Sequence, residues 1–153
     1  MVKKPGEEHE QFIFQVGSPS WSYHFAVQQD RRELDSYWEH QSLTLAAHCL
    51  HPDRFKEREA QVRVIGSRDL AERDRTRGGS KPPNGVGITE IRGQRFEVIL
   101  SLPIDACWHV GHAIATGSIR YVLTHGPRVF RGTALIRSVS FDGPSLVLDD
   151  YTA

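Results

Sequence analysis

The chain has 153 residues, enough for one domain that needs no disulfide or metal staple, since a domain of this size buries roughly 68–70% of its unfolded surface. Hydrophobic residues make up 39% and charged residues 25%, which excludes a disordered chain. Lys+Arg and Asp+Glu both number 19, so no global basic field exists to hold nucleic acid or an anionic membrane, and the zero net charge lowers one barrier to self-association.

The opening stretch, MVKKPGEEHE, is polar and lacks the apolar run of a signal peptide, and no stretch approaches the length of a membrane span. Two cysteines, Cys49 and Cys107, are too few for a disulfide framework. We therefore expect a cytoplasmic protein with reduced thiols and no membrane partner.

Residues 1–9 read as a polar tail ahead of a single β-rich domain over residues 10–150. Residues 11–16 form a strand-like run stopped by Gly17-Ser18-Pro19. In WSYHFAV (21–27), Trp21, Tyr23 and Phe25 alternate with Ser22, His24 and Ala26. That is the period of a half-buried strand, and the aromatic trio is expected in the core, the alternative being exposed rings that stack on bases or sugars. Asp30-x-x-Glu33 has the shape of a capping box. In residues 41–50, Leu43, Leu45, Ala47 and Cys49 share the inward face and His48 points out. Residues 51–59 form a polar connector with a Pro-Asp turn signal, and residues 60–66 another strand.

Residues 67–85 mix charges and then become rich in Gly and Pro, the composition of a surface loop. Two strands follow about a Gly-centred turn, residues 86–93 and 94–102, with Phe96, Val98 and Leu100 inward. Residues 104–116 carry the one helical period, closed by Gly117 as a C-cap. Residues 118–125 and 128–141 are strands, the second broken by a bulge at Gly132, and residues 145–150 add a last short strand. Roughly seven to nine strands and one late helix define a mostly-β class. We expect a single-domain antiparallel β-sandwich or open barrel of about eight strands, with one α-helix near residues 104–116.

The sharpest chemical constellation lies on that helix, in ACWHVGHAI (106–114). Ile104, Cys107, Trp108, Gly111 and Ala115 fall in one stripe with the spacing of a core face, which makes Cys107 a small buried hydrophobe. Asp105, His109 and His112 fall within about 60° of one another beside it. His109 and His112 are the candidate ligands of a divalent metal such as zinc, with Asp105 as ligand or orienter. Asp105 and His112 are about 10 Å apart along the axis, so further ligands must come from elsewhere, and His48, His51 and His125 are the candidates. The competing reading is a solvated helix face, on which no cofactor is expected.

Other sets are weaker. Cys49 beside His48 could form a thiolate dyad, but alternation sends one inward and the other outward. Ser22, His24 and Asp30 could be assembled into a triad without any nucleophile elbow to support it. RGGSKPPNGVG lacks the spacing of a phosphate loop. Arginines at 54, 58, 63, 68, 73, 75 and 77 are interleaved with Glu57, Glu59, Asp69, Glu72 and Asp74, which reads as a salt-bridged face before a nucleic-acid surface. The function expected first is a non-enzymatic binding or assembly module on a β scaffold, acting on itself or on a protein partner. The alternatives are a metal-dependent enzyme built on His109 and His112, and an arginine-mediated nucleic-acid binder.

Overall fold

A computed structural model describes residues 8–27, 37–67 and 85–146. Eight strands and one helix follow in chain order: β1 (His9–Val27), β2 (Tyr37–His51), β3 (Glu59–Ser67), β4 (Gly87–Arg92), β5 (Arg95–Pro103), α1 (Ile104–Ala115), β6 (Tyr121–Pro127), β7 (Thr133–Ile136) and β8 (Ser138–Asp142). They form one sheet in the order β7-β4-β5-β3-β2-β1-β6-β8. All neighbours are antiparallel except β3 and β5, so the expected antiparallel sheet is a mixed one.

The two ends of this order are β7 and β8, which are joined through Arg137 alone. A link that short pulls the sheet round into a nearly closed barrel. Arg137 N–H donates to the His125 carbonyl at 2.8 Å across the closing seam. At Gly126 a Cβ would lie 2.2 Å from the Leu135 oxygen, so only glycine permits this approach. The expected strand over residues 128–141 is thus two strands that break at Arg137, while Gly132 sits at positive φ in the turn before β7.

Alternation along each strand fills the interior. Leu43, Leu45, Ala47 and Cys49 of β2 and Phe96, Val98 and Leu100 of β5 are buried as their period requires. Phe12, Phe14 and Phe96 meet one another with ring centroids 5.6–6.0 Å apart, and Phe55 packs on Phe12 and Phe96 at 5.8 Å. Phe55 comes from a short 3₁₀ turn, Asp53–Phe55, inside the connector read as polar. Gly93, at φ 57°, allows the tight β4–β5 turn. Among the described residues no helix is long and apolar enough to cross a membrane. The capping box at 30–33 and the loop expected over 67–85 lie outside the described residues, except for Ser67 and Gly85.

Candidate functional site

β1 is a single strand from His9 to Val27, not two runs parted at residues 17–19; the interruption is a register irregularity between Val16 and Pro19. Its neighbour β6 accompanies it over residues 9–15 only. Among the described residues the last backbone bond on that side is Val16 N–H to the Arg120 carbonyl, 2.9 Å. β2 in turn is paired with β3 over residues 41–48. From residue 17 β1 runs on as an edge strand along β2, and this stretch with its β2 partners, ending with Val27 opposite Tyr37, is the arm; among the described strands it is two-stranded only at its tip, residues 24–27 against 37–40.

One face of the arm carries Trp21, Tyr23, Phe25 and Tyr37. Tyr23 is 50% exposed, Phe25 54% and Tyr37 59%. The expectation that the aromatic trio is core is therefore corrected: these residues share a face, but the barrel ends before it covers them. Phe25 stacks on Tyr37 at 5.3 Å. Tyr23 O–H donates to Glu39 Oε2 at 2.6 Å. The opposite face carries Trp38 between His24 and His40, with centroids at 5.0 and 5.9 Å. Residues 19–27 include no Asp, Glu, Lys or Arg, and Glu39 is the one such residue in 37–41.

α1 seats the root of this arm. Its buried residues are Cys107, Gly111 and Ile114, so the core meridian is turned by about 40° from the stripe expected at 104, 107, 108, 111 and 115. Trp108 and Ala115 are consequently exposed. Trp108 stacks on Trp21 at 5.0 Å and lies 6.1 Å from Tyr23, extending the aromatic face onto the helix. Trp21 lies directly over Gly111, where a Cβ would be 1.9 Å from the indole. Beside this contact a groove of about 670 Å³ runs between β1 and the end of α1, lined by Val16, Pro19, Trp21, Ile114 and Ile119.

Asp105, His109 and His112 all sit on the exposed side of α1. Among the described residues no group of three His, Cys, Asp or Glu comes together as a metal-binding set. His48 instead bonds Glu57 at 2.9 Å, and His125 stacks on His9 at 5.0 Å. Cys49 is fully buried and its thiol donates to the His51 carbonyl at 3.3 Å. Burial pushes that thiol up to about 11, and it raises the Cys107 thiol as well, so neither is an activated nucleophile. Asp30 of the paper triad lies outside the described residues, as do Arg68, Arg73, Arg75 and Arg77. The other arginines have internal partners: Arg54 pairs with Glu10, Arg58 donates to the Gly93 carbonyl at 2.5 Å, and Arg63 lies 3.6 Å from Glu97.

Tyr37, Trp38, Trp108 and Phe130 are surface aromatics that sequence reasoning missed. For Tyr37 and Trp38 the signal that could have found them is the lack of charge on either face of the partner segment 19–27, since an outer face of a half-buried strand normally carries some. Comparison with protein-family models, curated proteins and solved structures gives no match.

Proposed function

We propose that this chain is a non-enzymatic binding and assembly module. The barrel is the scaffold, and the β1–β2 arm is the contact surface it holds out to a protein partner. One observation carries the reading: Trp21, Tyr23, Phe25, Tyr37 and Trp108 form a contiguous aromatic face that is 39–59% exposed. Aromatic side chains present about 150–250 Å² each, so five of them about half exposed leave roughly 500 Å² of apolar surface open. A patch of that size is at the upper end for a monomer and marks an interaction site. Aromatics are also the residue type that dominates the centres of protein interfaces. The arm has no basic residue in 19–27 or 37–41 with which to hold phosphate, which favours an apolar partner surface over a nucleic acid.

The test is binding of an environment-sensitive apolar dye, bis-ANS, to the folded chain at high dilution. The native chain is expected to bind dye with energy transfer from tryptophan, and a Tyr23→Ser/Phe25→Ser/Tyr37→Ser variant is expected to lose most of that signal. Equal dye binding by the two folded chains would overturn the reading.

A further inference from the structure

We infer that the partner of the arm is a second copy of this chain, joined edge to edge along β1 in an antiparallel, two-fold contact. The inference rests on the assembly reading above and specifies its partner. From residue 17 to residue 27, no strand among those described lies along the side of β1 that β6 occupies over residues 9–15. Among the described strands the tip of the arm, residues 24–27 against 37–40, is only two-stranded, and a two-stranded ribbon is marginal in water where three or more strands are stable. Exposed edges are normally protected by lysine, inward charge or proline. This edge carries one proline, Pro19 at its root, and no charge through Val27.

The absence of charge also selects the partner. A segment without Asp, Glu, Lys or Arg offers nothing to match a charged surface, whereas a two-fold contact requires only that the patch complement itself. The midpoint of residues 17–27 is Ser22, so pairing about that point sets Ser22 opposite the same residue of the second copy. Tyr23 then lies across from the other copy's Trp21, which makes an aromatic seam on one face. Phe25 and Val27 reach the level of Pro19 and Gly17 of the other copy, where the groove between β1 and the end of α1 is open to receive them.

The area fits a reversible dimer. An edge of about eleven residues is roughly 36 Å long and a sheet occupies about 10 Å in depth. With the three half-exposed rings of β1, each copy contributes roughly 500–600 Å², and the pair sits at the low end of the size range of specific interfaces.

The full chain tests this directly. Cys49 and Cys107 are buried, so a Ser22→Cys variant carries one accessible engineered thiol. Opposed residues of an antiparallel pair are about 4.5–5.5 Å apart at Cα, within disulfide range. In a glutathione redox buffer Ser22→Cys is expected to form a covalent dimer, and Ser138→Cys, on β8, is expected not to. Sedimentation of the native chain is expected to show monomer and dimer exchanging with concentration. Ser22→Lys places like charges opposite each other at the two-fold axis and is expected to weaken the dimer about tenfold or more. Ser22 is exposed, so neither variant disturbs the core. A native chain that stays monomeric up to about 100 µM, cross-linking no faster at Ser22 than at Ser138, or a dimer unmoved by Ser22→Lys would each overturn the inference. A monomer that still binds dye along the arm would sink this pairing and leave the module reading standing.

Discussion

Gln41 lies beside Gly66 at the root of the arm and is fully buried, with its amide Oε1 and Nε2 lacking hydrogen-bond partners among the described residues. A buried polar group left unpaired costs about 1–3 kcal/mol, so Gln41→Met, close in shape and apolar, is expected to raise stability by about that much in a urea titration. A loss of stability would show that the amide is bonded in solution. Cys49 supplies a pH dependence. Its thiol stands at about 11 in the fold against 9.0 for an ordinary thiol, because burial penalises the thiolate. The neutral form is thus the stabilised one. Its contribution is complete below pH 9.0 and is lost as the pH rises through about 11. Unfolding midpoints of the native chain should fall over that window, and those of Cys49→Ala should fall less. Parallel profiles would contradict the assignment.

At the scale of elements, the contact of α1 with β1 depends on Gly111. Alanine there would improve helix propensity by about 1 kcal/mol in an open setting. Here its Cβ would enter the Trp21 ring, so Gly111→Ala is expected to cost about 1–3 kcal/mol and to shift the tryptophan emission as Trp21 is displaced. A gain in stability with unchanged emission would show that the indole does not rest on the helix. The same two elements show what could be read in advance. Leu43, Leu45, Ala47 and Cys49 announced their buried face because strand period and burial coincide inside the barrel. The helix announced its bounds through Pro103 and Gly117, which end the neighbouring patterns. Trp21, Tyr23 and Phe25 announced a shared face, but period two cannot say whether anything covers it. That depends on where β6 stops, at residue 15 of β1, which is a long-range fact. The turn of the helix meridian away from Trp108 is of the same kind, since it follows from the indole of Trp21 occupying the space above Gly111. The parallel pairing of β3 with β5 has no local signature, because side-chain alternation is the same in either direction.

The whole molecule divides into a closed part and an open part. Closure is achieved by the single-residue link at Arg137 and the glycine at 126, which together bring β7, one end of the sheet, against β6 near the other. A sheet closed in this way has little edge left to pair with another chain. Against that background the long outer edge of β1 and the aromatic face beside it stand apart, and the module reading assigns them to a partner. His109 and His112, together on the exposed side of α1, are not needed for it. The deciding measurement is the unfolding free energy of the Tyr23→Ser/Phe25→Ser/Tyr37→Ser variant at about 0.1 µM chain, where mass action removes any weak partner. A presented surface loses ring contacts and exposed polar contacts, so a fall of about 2 kcal/mol or less is expected. A fall of roughly 9–15 kcal/mol, the cost of truncating three core aromatics, would show that the arm is part of the monomer's core and contradict the account.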